Sequence, residues 1–190
     1  MKGRMRGRAM AAAMLAVMPL LGWSAGAQAR HAAEWRPATD AELKAVIPAR
    51  APVVTERIET EMRSASGITN AHGKYIAGVV LITAGYSAEG KYSHFFLTQV
   101  PLRIGGSVDL AAGEYVIGYE HSEQGLLVHF YEAATGQPAG SVLATEIPGV
   151  TRVEQIRVWP PLRAGAPETP AVPRSTIQIG RFGFSYQIGG

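Results

Sequence analysis

From Lys74 onward, apolar residues fall into short β-branched and aromatic runs punctuated by glycine, proline and asparagine, the pattern of strands joined by tight turns. The runs are KYIAGVVLITAGY, KYSHFFLTQVPLRI, GEYVIGYE, LLVHFYE, GSVLATEI, RVEQIRVW, STIQI and RFGFSYQI. Pro101 marks an edge or a bulge within the second. In the last run Phe182, Phe184, Tyr186 and Ile188 alternate with Gly183, Ser185 and Gln187. Period two with one aromatic face predicts a half-buried strand that closes the core. The predicted fold is mainly β, an antiparallel β-sandwich or small barrel over residues 68–190, with a short helical N-terminal segment over 30–67.

That segment opens on Thr39-Asp40-Ala41-Glu42, the spacing of a capping box. Leu43, Val46 and Ile47 follow at helical spacing, and Pro48 ends the turn. PVVTERIETEMRSASG, residues 52–67, fits two periods. As a helix it lines up Val54, Ile58 and Met62, sets Glu59 four before Arg63, and ends at Gly67. As a strand it separates Ile58, Thr60 and Met62 from Arg57, Glu59, Glu61 and Arg63. The helical spacing is preferred.

Residues 1–29 change the charge picture. Lys2, Arg4, Arg6 and Arg8 precede an apolar run from Ala9 to Trp23, and small residues lead to Ala27-Gln28-Ala29. This is the pattern of a secretory signal peptide. The run is short for a membrane span and Pro19 breaks it. No Arg-Arg pair is present, so export by the general secretory route is expected, to the periplasm or the exterior. Four of the 18 basic residues lie in this leader, which leaves 14 against 15 acidic ones, a net charge of −1. The basic character therefore belongs to the leader and gives no reason to expect nucleic-acid binding. No transmembrane segment is expected in the mature chain. Without cysteine there are no disulfides, and the 161 remaining residues suffice for one domain stabilised by burial alone. PPLRAGAPETPAVP, residues 160–173, holds five prolines and reads as an exposed loop.

Patterns for catalysis are incomplete. Gly85-Tyr86-Ser87-Ala88-Glu89 begins like a nucleophile elbow but lacks the last glycine and leads into a strand. His31, His72, His94, His121 and His129 show no zinc-binding spacing, and no phosphate-binding glycine loop appears. No metal and no cofactor is expected. Strands could still gather His94, His121 or His129 with Glu120 or Glu123. Glu114, Glu120, Glu123, Glu132, Glu146 and Glu154 are candidates by type for a carboxylate pair.

Pairing Glu114–Glu120 with Leu126–Glu132 across HSEQG sets Tyr115, Ile117, Tyr119, Val128 and Phe130 on one face. Burial of that face turns His129 and Tyr131 outward, with Gly118 opposite His129 leaving room beside it. Glu120, His129, Tyr131 and Trp159 are the candidate ligand-binding residues. DLAAGEYVIGY and VHFYEAATGQPAGSV carry an L-x-x-G-x-Y strand entry and an E-x-x-T-G turn. These resemble transthyretin-like and carboxypeptidase-regulatory-like modules, and the chain is similar to an uncharacterised family of exported bacterial β-sandwich proteins. The resemblance implies a domain that binds or supports partners and carries no catalytic set. The expected function is a non-enzymatic cell-envelope binding module for a protein or saccharide. The alternative is an envelope hydrolase or carbohydrate-active enzyme with dispersed carboxylates. Few aromatics and the ending YQIGG argue against an outer-membrane barrel.

Overall fold

Thr39 stops the extended approach of the chain and opens helix α1 (Asp40–Val46). The capping box forms: the Glu42 N–H donates to Thr39 Oγ1 at 3.3 Å, and the Thr39 N–H donates to Glu42 Oε2 at 2.8 Å. The Arg36 guanidinium closes on the same carboxylate at 2.7 Å. Arg36 and then the Thr39 N–H hold the Glu42 carboxyl down to about 2. The computed structural model describes residues 35–82, 91–161 and 173–189. The leader, His31, Gly85–Glu89 and most of the proline-rich loop lie outside the described residues.

The helical expectation for residues 52–66 is overturned. This stretch holds the end of β2 (Arg50–Val53), a turn at Val54–Thr55 and most of β3 (Glu56–Thr69). A spacing of four is a multiple of two, so Val54, Ile58 and Met62 satisfied both periods. Pairing decides: β3 lies antiparallel to β2 and to β4 (Tyr75–Leu81). Ile58 and Thr60 are buried while Arg57 and Glu59 face water. Because β3 runs through residue 67 into the sheet, the N-terminal segment is woven into the β structure.

The fold is mainly β, with an antiparallel sheet nearly closed into a barrel. The remaining strands are β1 (Arg36–Pro37), β5 (His94–Thr98), β6 (Leu102–Ile104), β7 (Val108–Leu110), β8 (Gly113–Ser122), β9 (Gly125–Glu132), β10 (Pro138–Glu146), β11 (Glu154–Trp159), β12 (Thr176–Gly180) and β13 (Phe182–Ile188). Their order is β1-β3-β4-β5-β8-β9-β10-β13-β12-β11, with β2 on β3 and the β6–β7 hairpin on β13. Pro101 sits between β5 and β6, where the chain leaves one partner for another. The β8–β9 register sets Gly118 opposite His129. The turn is tighter than HSEQG suggests, since Ser122 still pairs with Gly125. A Cβ on Gly118 would run into the Lys91 carbonyl oxygen, so the expected room beside His129 is filled by backbone.

Alternation along the strands feeds two cores. Phe96, Ile117, Phe130, Phe184 and Tyr186 belong to the barrel interior. Phe95, Val116 and Val79 face the other way and pack under Leu43 and Ile47 of the α1 segment. Burial on both faces explains why all five residues of β5 are buried. The C-terminal strand closes the interior as expected: Phe184 and Tyr186 are buried, and Phe182 and Ile188 pack at its margin. The two turn motifs do local work. The Tyr115 hydroxyl donates to the Ala111 carbonyl at 2.9 Å, and in EAATG the Gly136 N–H donates to the Glu132 carbonyl at 2.8 Å with Gly136 at φ 69°.

Closure is incomplete between β3 and β11. Among the described residues β11 pairs only with β12, and its other edge faces β3. Side chains bridge this seam: the Val158 N–H donates to Ser66 Oγ at 3.1 Å. Ile156 seats against Gly78, where any Cβ would collide with its Cδ1. No described helix is long and apolar enough to cross a membrane.

Candidate functional site

At one end of the seam the interior opens into a pocket of about 430 Å³. Its walls are mostly apolar and include Leu81, Leu126, Ile179 and Phe182, with Tyr119 and Val153 at the mouth. Tyr119 was expected in the core with Ile117, yet it is 39% exposed. The reason is length: β8 outruns the interior, and Tyr119 to Ser122 are all exposed. Val153, just before β11, is 65% exposed. Exposed apolar side chains on the rim of a concave apolar pocket are placed for contact with a ligand.

Ser93, His94, His121 and Glu154 supply the polar groups. His94 is the deepest, only 4% exposed. A carbonyl can only accept, so its Nε2–H donates to the Gln155 carbonyl at 3.0 Å, and Nδ1 accepts from the Ser93 hydroxyl at 2.8 Å. The imidazole thereby ties β5 to β11 across the seam. Burial pushes its pKa down to about 4, against the smaller upward pull of the Gln155 carbonyl. A serine within hydrogen-bond reach of a histidine invites comparison with a nucleophile and its base. An imidazole that stays neutral down to about pH 4 is too weak a base for that work near neutrality. The Ser93 hydroxyl also lies 3.1 Å from the Ile117 carbonyl, which can only accept and so competes with His94 Nδ1 for the one hydroxyl proton. The Tyr119 ring lies 6.2 Å from the His94 ring and 6.2 Å from that of His121.

The residues singled out from sequence fall in two other places. Glu120, His129 and Tyr131 share the opposite face of the β8–β9 ladder. Glu120 is exposed. His129 is half-buried, its Nδ1 2.7 Å from Ser141 Oγ. Tyr131 meets Tyr92 edge-on at 5.3 Å, and the Lys91 ammonium lies 4.2 Å from its ring centre. This face is partly covered, because Tyr131 packs on the outer core. His121 belongs to the Tyr119 face, so it does not join Glu120 and His129. Among the described residues no three His, Asp or Glu are grouped to hold a metal ion. Trp159 stands apart on β11, half-buried, with its Nε1–H donating to Gln178 Oε1 at 3.0 Å.

Among the described residues the carboxylates in ion pairs are held by arginines. Glu154 is the single acid of the pocket, and its Oε1 lies 3.2 Å from both Arg152 and Arg157. Glu61 is held below the usual carboxylate range by Arg63. Sequence reasoning missed Tyr119, Val153 and the depth of His94. The signal for His94 was its place inside SHFFL, a histidine in an otherwise apolar central strand. No family model matches the chain, and neither a curated protein nor a solved structure was found to be similar to it.

Proposed function

We propose that the protein is a non-enzymatic binding module of the cell envelope that takes a small aromatic or otherwise apolar ligand into the pocket at the mouth of the barrel. The observation that carries this reading is the pairing of exposed Tyr119 and Val153 with a concave apolar pocket of about 430 Å³. Mouths of β-barrels are preferred ligand sites, and volumes of a few hundred Å³ suit drug-sized molecules. His94 supports it by remaining neutral, so that it adds no charge beyond that of the arginine-paired Glu154. The envelope location rests on the leader pattern of residues 1–29. The resemblance of the hairpin region to partner-binding exported modules points the same way.

A neutral fluorescent probe of apolar sites, N-phenyl-1-naphthylamine, tests the reading. Saturable, one-to-one fluorescence enhancement is expected with the folded protein. Val153→Asp places a charge on the exposed rim and should weaken it at least tenfold while leaving the melting midpoint in place. Unsaturable enhancement, or equal binding by the variant, would remove the pocket as the site.

A further inference from the structure

A second concavity runs along the outside of the seam, with a volume of about 590 Å³. One wall is β3 from Arg63 to Gly67 with the start of α1, and the other is the β11 segment from Arg152 onward. Among the described residues four arginines line it (Arg63, Arg152, Arg157 and Arg174) against two acids, Asp40 and Glu154, with Arg63 also paired to Glu61 at 3.1 Å. We propose that this groove binds an acidic saccharide, its carboxylates held by the arginines and its sugar rings lying against Trp159.

One of the arginines, Arg157, is held on two sides before any ligand arrives. Gln178 is fully buried, and its Nε2 donates to the Gly180 carbonyl at 2.8 Å and the Arg152 carbonyl at 3.3 Å. Its Oε1 accepts the Trp159 indole N–H, and the Arg157 guanidinium stacks 4.3 Å from the Trp159 ring centre. Arg157 and Arg152 then share one oxygen of Glu154. One carboxylate therefore serves two guanidinium groups, each with five N–H donors, and one positive charge is left over. Fixed guanidinium forks suit carboxylates, which they bind through paired hydrogen bonds. Ordering these side chains in advance lowers the entropy lost on binding.

The seam also selects the kind of ligand. An extended peptide would bind such a place by adding a strand between the open edges of β3 and β11. The Val158 N–H already donates across the gap to Ser66 Oγ, and Ile156 is locked over Gly78. With that floor closed, recognition falls to side chains above it. Guanidinium groups beside an indole, which Trp159 also presents to a smaller adjoining hollow of about 200 Å³, are the donor and stacking set for a charged sugar. The groove meets the apolar mouth pocket at Val153, Glu154 and Gln155, which line both, but its four arginines and Trp159 lie outside that pocket, and the proposal does not depend on that pocket being occupied.

Isothermal titration of the folded protein at low salt with a galacturonate hexamer tests it. Maltohexaose serves as the neutral saccharide and hexa-aspartate as the acidic peptide. Saturable binding of the uronate is expected, with both controls at least tenfold weaker and affinity falling as salt rises. Arg63→Gln, whose side chain is 92% exposed, and Arg157→Gln should each weaken uronate binding severalfold or more. Arg103→Gln, on the remote β6–β7 hairpin, and Tyr119→Ala, at the mouth pocket and outside the lining of the groove, should leave it unchanged. Absent uronate binding, hexa-aspartate binding as well as the uronate, or an equal loss in Arg103→Gln would each overturn the proposal.

Discussion

Removing one buried titratable group should change how stability depends on acidity. His94 is nearly inaccessible, and its pKa falls from the ordinary 6.5 to about 4 because burial penalises the imidazolium. The unfolded chain therefore takes up a proton at a higher pH than the folded one. Stability from this source is complete above pH 6.5 and is lost as pH falls through the window down to about 4. A shift of this size corresponds to about 3 kcal/mol in full, most of it gone by pH 4.5. His94→Gln keeps an amide N–H near the Nε2 position, able to donate to the Gln155 carbonyl, but cannot titrate. Urea denaturation of both proteins between pH 7.5 and 4.5, followed by tryptophan fluorescence, isolates the effect. Glu42, His121 and Glu154 are common to both proteins and cancel in the comparison. The Glu42 contribution is in any case lost at lower pH, below about 4.5, because its folded pKa is lowered to about 2. The stability gap should close, or reverse, by about 2–3 kcal/mol in favour of the variant as pH falls. Parallel pH profiles would show that the imidazole titrates alike in the folded and unfolded chain, and a gap moving the other way that it is charged when folded; either would require the neutral clasp across the seam to be abandoned.

Three other perturbations probe separate features. Phe184→Ala removes a ring that is 5% exposed and packs edge-on against Phe130 at 5.9 Å, and should cost about 3–5 kcal/mol; a melting midpoint within a degree of wild type would place it outside the core. Gly118→Ala drives a methyl into the Lys91 carbonyl and should cost about 1–3 kcal/mol by thermal or urea denaturation, whereas a neutral effect would mean that the Lys91 backbone lies elsewhere. His129→Ala forfeits the contact with Ser141 and should cost about 1 kcal/mol or less; zinc titration should give no binding in wild type or variant, and micromolar zinc affinity lost in the variant would restore a metal site on that face.

Period-two alternation made the C-terminal strand and the β8–β9 register readable, because burying one face of a strand fixes the whole register. The Thr39–Glu42 box was readable because capping is local chemistry. Residues 52–66 were misread because their spacing fits both periods, and only pairing with β2 and β4 chooses between them. The mouth pocket was not legible. Tyr119 looks like Ile117 in an alternating strand, and nothing local marks where β8 leaves the interior. Val153 and His94 come to line one pocket through closure of the seam, where His94 meets Gln155, 61 residues further along the chain. Glu120, His129 and Tyr131 were chosen for their polarity, and the structure gives the last two ordinary partners in Ser141, Tyr92 and Lys91.

The central claim, a ligand pocket at the barrel mouth, is tested most directly by amide chemical-shift mapping during titration with N-phenyl-1-naphthylamine. Saturable shifts should cluster at Leu81, Ser93, Tyr119, Leu126, Val153 and Ile179, which the sequence scatters and the fold gathers into one wall. Shifts that never saturate, or that centre on the Glu120–His129–Tyr131 face, would contradict the account.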